Sequence, residues 1–186
     1  MREIEIKLRV KDLVEIKAKL EASGCILSQP ISQHDIIYSL GGNNKEFQGL
    51  KKGDIVIRIR YLKDKAIFTL KKQQTGELDS LEYETEVGDP KQMDHALRAL
   101  GYEPAVEVKK VRQKGKLGEY EVCLDQVEKL GSFIELEKLT VDDADPEQVT
   151  NELFSALELY GLSRKDSETR GYDTQIYQLA PRNIQV

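Results

Sequence analysis

Charged residues two apart recur along this chain, on segments where they alternate with apolar ones. Glu3, Glu5 and Lys7 alternate with Ile4, Ile6 and Leu8, and Arg58 and Arg60 with Ile57 and Ile59. Glu82 and Glu84, Lys110 and Arg112, and Glu135 and Glu137 repeat the pattern. A period of two puts each set on one face of a strand, with neighbours on that face roughly 6.6 Å apart along it. The signs are segregated by strand, and like charges side by side repel. Such faces make sense when a polyanion and cations occupy the space between them. Arginine offers phosphate oxygens a planar donor fork and lysine a compact charge. Paired carboxylates suit Mg²⁺ or Mn²⁺, singly or as two ions about 4 Å apart. The chemistry that fits is phosphoryl or nucleotidyl transfer. The chain contains no GxxxxGK[ST] loop, so side chains rather than a helix N-terminus must hold the phosphates.

The elements that must position these residues are legible in outline. Alternation predicts strands over 2–10, 34–39, 54–62, 65–72, 80–88, 105–114, 118–125 and 132–141. Asp12, Asp89-Pro90 and Asp145-Pro146 open three helices, and Gly24, Gly101 and Gly161 end them. Their apolar stripes are Leu13, Ile16 and Leu20; Met93, Ala96, Leu97 and Leu100; and Val149, Leu153, Ala156, Leu157 and Tyr160. A polar, glycine-rich loop runs over 40–53, and short elements are expected around 164–179. Short connections predict antiparallel pairing. Three amphipathic helices need an apolar surface to cover. The expected fold is therefore α+β: a closed eight-stranded antiparallel β-barrel, or tunnel, with a charged interior and helices packed outside. An interior of that size holds side chains or one small ligand. Unpaired buried charges cost several kcal/mol each, so the interior must be wet, with both signs present.

Composition limits the alternatives. The 186 residues are 39% hydrophobic and 33% charged, which suits one globular domain over 1–186. A net charge of −5 provides no overall basic field for nucleic acid. No apolar run approaches the roughly 20 residues of a membrane helix, and the N-terminal segment lacks a signal-peptide core. Cys25 and Cys123 have no metal-type spacing and read as reduced thiols. The expectation is a soluble, cytoplasmic protein with no nucleic-acid or membrane partner.

The ordered set of motifs resembles the CYTH superfamily, the triphosphate tunnel metalloenzymes. Glu3-Ile4-Glu5-Ile6-Lys7 resembles that family's ExExK signature. Arg58-Ile59-Arg60 is similar to its arginine strand, Lys71 to its next basic strand, and Glu82 with Glu84 to its central ExE. Lys110-Val111-Arg112, Asp125, Leu130-Gly131 and Glu135-Leu136-Glu137 follow in family order. The resemblance implies that Arg58, Arg60, Lys71, Lys110 and Arg112 bind the triphosphate, and that Glu3, Glu5, Glu135 and Glu137 bind Mg²⁺ or Mn²⁺. It implies that Lys7, Glu84 and Asp125 line the tunnel as catalytic groups. Length and layout resemble the class IV adenylate cyclase branch, which implies ATP as substrate, cyclic AMP and pyrophosphate as products, and a homodimer among the expected partners. Hydrolysis of inorganic, thiamine or nucleoside triphosphate is the alternative activity, and a catalytically silent triphosphate-binding module the third reading.

Other residues read more plainly. His34 suits capping or packing at a strand start, and His95 an exposed helix position. Tyr38 and Tyr61 suit packing better than stacking on a base. Arg170 and Tyr172 are candidates for closing the tunnel mouth. Glu86 faces solvent, and Lys72, Lys109 and Glu121 are expected to point away from the tunnel.

Overall fold

The computed structural model describes residues 2–41, 47 and 50–179. Eight strands follow one another as β1 (Arg2–Arg9), β2 (Ile31–Leu40), β3 (Ile55–Tyr61), β4 (Ala66–Gly76), β5 (Asp79–Val87), β6 (Tyr102–Leu117), β7 (Tyr120–Val127) and β8 (Gly131–Thr140). They close into an antiparallel ring in the order β1-β5-β4-β3-β2-β6-β7-β8. Helices α1 (Leu13–Ala22), α2 (Pro90–Ala99), α3 (Pro146–Glu158) and α4 (Tyr172–Leu179) complete the chain, with a 3₁₀ turn at Arg164–Asp166. Half of the expected loop over 40–53 lies outside the described residues.

The helix starts follow from local chemistry. The carboxylates of Asp12, Asp89 and Asp145 each accept two backbone N–H groups of the first turn, satisfying donors that the helix itself leaves unpaired. Proline occupies the first helical position of α2 and α3, where its missing N–H costs nothing. Leu100, expected on the α2 stripe, is instead the C-cap of that helix and stands exposed.

The polarity of the ring is inverted relative to an ordinary small barrel. Ile4, Ile6 and Leu8 of β1, Val122 and Leu124 of β7, and Ile134 and Leu136 of β8 point outward. There they pack under Ile16 and Leu20 of α1 and Leu153, Phe154 and Leu157 of α3. Tyr38, Ile57, Ile59 and Ala66 form a second outer core beneath Leu97 of α2. Each fully buried aliphatic side chain in these layers contributes about 1.5–3 kcal/mol. The helices thus stabilise the outside of the ring and leave its inner face to charged groups. α4 is different: its Tyr172 joins Ile37, Val106, Val108, Val127 and Phe133 in a cluster at one end of the ring.

Candidate functional site

The inward faces of the strands border one cavity. Among the described residues ten acidic and seven basic side chains line it, including Glu3, Glu5, Lys7, Arg58, Arg60, Lys71, Glu84, Lys110, Arg112, Glu135 and Glu137. The structure therefore brings together on one cavity all but one of the site residues expected from sequence. The exception, Asp125, is fully buried behind the basic residues. Its two oxygens accept from Arg112 Nε at 2.7 Å, Arg112 Nη2 at 2.5 Å, Lys110 Nζ at 3.2 Å and the Tyr172 hydroxyl at 3.0 Å. Burial opposes the charge of Asp125, yet Arg112 and Lys110 hold its carboxyl below the usual range. Asp125 orients two cations rather than facing the open cavity.

Register across the ring decides which charges meet. Lys7 lies opposite Glu135, and Glu5 opposite Glu137. Lys7 Nζ sits 3.3 Å from Glu135 and 3.5 Å from Glu5. Burial works against the ammonium, but these carboxylates raise its pKa above the usual lysine value. Glu135 also pairs with Arg112. Although burial would raise it, Arg112, Lys7 and Lys110 hold Glu135 well below the carboxylate range.

Glu3, Glu5 and Glu137 behave in the opposite way. One carboxylate oxygen from each lies within 4.8 Å of the other two. Burial, reinforced by nearby carboxylates (Glu137 on Glu3, Glu135 on Glu5, and Glu5 on Glu137), raises the pKa of all three, Glu3 to about 9 and Glu137 to about 7. Their nearest cations stand 3.5 Å (Lys7 from Glu5), 3.6 Å (Arg112 from Glu137) and 3.9 Å (Lys71 from Glu3) away, and three converging oxygen donors so loosely paired fit a hard divalent ion. The charge balance of the lining points the same way: among the described residues seven cations face ten carboxylates, so a polyphosphate is better accommodated when further positive charge enters with it. The donor set thus fits the expected Mg²⁺ or Mn²⁺ through Glu3, Glu5 and Glu137, while Glu135 is engaged by Lys7 and Arg112.

The basic side chains differ in how free they are. Arg60 donates two bonds to Asp35, at 2.7 and 2.8 Å, and Arg112 is held by three carboxylates. Arg58 donates to Thr69 Oγ1 at 3.0 Å and to Glu84 at 3.2 Å, and its buried Nε has no partner among the described residues. Lys71 contacts Glu82 and lies 3.9 Å from Glu3. Burial opposes the Glu82 charge, but Lys71 and Arg58 lower its pKa to about 2. Lys110 is pushed down to about 8 by burial and by Arg112, with Asp125 offsetting part of the effect. Glu84 stands half-exposed.

Glu121 corrects the reading from sequence. It lines the cavity, pairs with Lys114, and groups with Cys123 and Glu137. Glu121, Cys123 and Asp125 share the same parity on β7, so strict alternation from Asp125 would have found it. Lys72 and Lys109 do face outward, and Glu86, on the same face of β5 as Glu82 and Glu84, is exposed near the strand's end. Tyr172, read as a candidate for closing the mouth, lies inside the ring. Its ring is 4.3 Å from Lys7 Nζ and 4.8 Å from Lys110 Nζ, a favourable placement for a cation over an aromatic face. The Arg170 guanidinium instead turns outward to Glu168 and Gln178. His34 pairs with Glu107 outside the ring, His95 is exposed, and the Tyr38 hydroxyl donates to Asp94 beneath α2.

An antiparallel ring with aliphatic side chains outward, under helices, and paired charges inward defines a class of protein built to enclose a polyanion together with cations. The chain belongs to the CYTH domain family, whose model matches residues 1–172. It is 26% identical over 174 residues to a Methanocaldococcus jannaschii protein named "Putative adenylate cyclase", covering 92% of this chain and 97% of that one. A solved Pyrococcus horikoshii protein superposes with a TM-score of 0.78 at 26% identity, over 94% of this chain and 98% of its own. A Hippeastrum protein, described as a putative adenylyl cyclase with a dominant triphosphatase activity, shares the fold at a TM-score of 0.62 and 19% identity, over 95% and 94% of the two chains. Membership in this family points to an enzyme, an adenylate cyclase or a triphosphatase. Among the described residues no helix is long and apolar enough to cross a membrane.

Proposed function

We propose that this protein is a metal-dependent enzyme acting on ATP inside the charged ring, forming 3′,5′-cyclic AMP and pyrophosphate. The observation that carries the metal-dependent triphosphate reading is the converging, loosely paired Glu3–Glu5–Glu137 cluster sharing one cavity with Arg58, Lys71 and Lys110. A divalent ion held by those carboxylates would neutralise phosphate charge and acidify the attacking hydroxyl. Arg58, with a free Nε, and Lys71 and Lys110 would donate to phosphate oxygens. Arg60 and Arg112 add fixed positive potential from behind their carboxylate partners. Lys7, kept as an ammonium by Glu135 and Glu5, stabilises developing negative charge rather than removing a proton. Glu84 orients Arg58, and Asp125 orients Lys110 and Arg112. In the cyclase reaction the ribose 3′-oxygen forms a bond to the α-phosphorus, its proton is lost, and the bond to pyrophosphate breaks.

One observation favours hydrolysis as the second reading. The more exposed groups bordering the cavity, Glu84, Lys114 and Glu121, are charged, so they make no apolar slot for a base. With water as nucleophile the same groups would serve attack on the terminal phosphorus, releasing phosphate. Incubation with ATP, and separately with inorganic tripolyphosphate, in Mg²⁺ or Mn²⁺ distinguishes the two by product separation. Cyclic AMP with pyrophosphate is the expected result. ADP with phosphate, or turnover of tripolyphosphate alone, replaces the cyclase reading with the hydrolase. Absence of turnover with every triphosphate and either metal removes both.

A further inference from the structure

We propose that the ion pair between Arg2 and Asp79, on the outer face of the ring, is a positioning clasp. It sets the metal-binding carboxylates of β1 against the phosphate-binding side chains of β3 and β4. This rests on the triphosphate reading above and adds to it two residues that touch neither metal nor phosphate. The ring is unevenly closed. β1 pairs with β8 along its whole length, Arg2 to Arg9, but with β5 only over Arg2, Glu3 and Ile4. One further backbone bond, from the Glu5 N–H to the Leu78 carbonyl at 2.9 Å, extends this seam. Among the described residues it is the shortest junction in the ring. Glu3 and Glu5 lie on one side of it, paired through β1 with Glu137 of β8. Lys71 lies on the other side, on β4 between Arg58's strand and β5. Little spans the seam on the inner face: Lys71 Nζ stands 3.9 Å from Glu3 and is held instead by Glu82 of β5.

On the outer face the clasp makes up for this. Arg2 Nε and Nη2 donate to the two oxygens of Asp79 at 2.8 and 2.9 Å. Arg2 Nη1 donates to the carbonyls of Asp142 and Ala144, both at 2.9 Å, so the same guanidinium ties down the connection from β8 to α3. The Thr75 hydroxyl donates to Asp79 at 2.5 Å and fixes the carboxylate from β4. Both members of the pair are buried. A guanidinium fork on a carboxylate is directional and accepts one approach of the two strands. Apolar contact has no such direction. Replacing a buried ion pair by apolar residues is often neutral or stabilising, so what the fork adds here is position rather than stability. The path to the site is one residue long on each strand. Glu3 follows Arg2, Ser80 follows Asp79, and these two lie opposite each other across the seam. The Ser80 hydroxyl donates to Glu82 at 3.1 Å, which in turn holds Lys71.

Two variants separate position from stability: Asp79→Asn, which breaks the pair, and the double variant Arg2→Met/Asp79→Leu, which replaces it with apolar side chains. Calorimetry well below the melting temperature of each measures Mn²⁺ binding alone, then inorganic tripolyphosphate at saturating Mn²⁺. Mn²⁺ affinity is expected to stay within about threefold of wild type, because Glu3, Glu5 and Glu137 remain on the fully paired β1 and β8. Tripolyphosphate is expected to bind at least about tenfold more weakly to both variants. A smaller loss in a folded variant overturns the clasp as a positioning device. So does a comparable loss of Mn²⁺ affinity, which marks general loosening, and so does failure of both variants to fold, which marks a purely structural pair. Failure of the wild-type protein to bind tripolyphosphate in Mn²⁺ removes the site itself, a separate and distinguishable result.

Discussion

Glu135 and Glu137 lie two residues apart on one strand, both inward and both buried, and removing their charges is expected to shift stability in opposite directions. Glu135 faces Lys7 at 3.3 Å and contacts Arg112. Breaking a buried pair from one side typically costs about 3–5 kcal/mol. Lys7 keeps Glu5, and Arg112 keeps Asp125, so Glu135→Gln should cost roughly 3 kcal/mol, the lower end of that range. At about 2–4 °C per kcal/mol for a chain of this size, the melting temperature should fall by about 6–12 °C. Glu137 is raised from 4.5 to about 7 by burial and by its acidic neighbours. Because the folded-state value lies above the unfolded one, stability without metal falls as pH rises from about 4.5 through 7. Glu137→Gln removes that fall, a gain of up to about 3 kcal/mol above pH 7. Thermal melts of wild type and both variants at pH 8 in EDTA provide the comparison. Two shifts of the same sign would refute the division of these carboxylates into a closely ion-paired one and one only loosely paired, with Arg112 at 3.6 Å.

Three further outcomes follow from the same geometry. Mg²⁺ or Mn²⁺ without substrate should raise the wild-type melting temperature, because binding favours the folded state, and Glu137→Gln should lose most of that rise; thermal shift across a metal titration measures both. Arg58→Ala should weaken tripolyphosphate binding by about 10–100-fold, the loss of one charged hydrogen-bond donor, with little change in melting temperature; calorimetry with parallel melts checks it. Gly115→Ala should destabilise by about 1–3 kcal/mol, read by denaturant unfolding, because a Cβ there would lie 2.8 Å from Cys25 Sγ and 2.9 Å from the Ile26 carbonyl oxygen.

Much of this architecture is local and could be read along the chain. Alternation between Glu3 and Leu8 assigns one face to charge and the other to a core, because successive strand side chains point oppositely. Asp12, Asp89 and Asp145 mark helix starts because a short carboxylate can reach its own first-turn N–H groups. Which face becomes the interior followed from the need of three amphipathic helices for an apolar surface. Glu121 was missed although the signal was present, since its parity matches that of Asp125.

What the sequence by itself determined was therefore the elements, their faces and the inventory of charges inside the ring. Only the tertiary structure decided which charges meet. Glu135 and Glu137 lie two residues apart on the same face, yet one lies opposite Lys7 and the other opposite Glu5 because of the register between β1 and β8. Tyr172 reaches Lys7 and Lys110 from the far end of the chain for a similar reason: the edge of β1 that β5 leaves open is taken up by the segment entering α4. Coulomb energy depends on separation in space and on burial, and neither is set by separation along the chain.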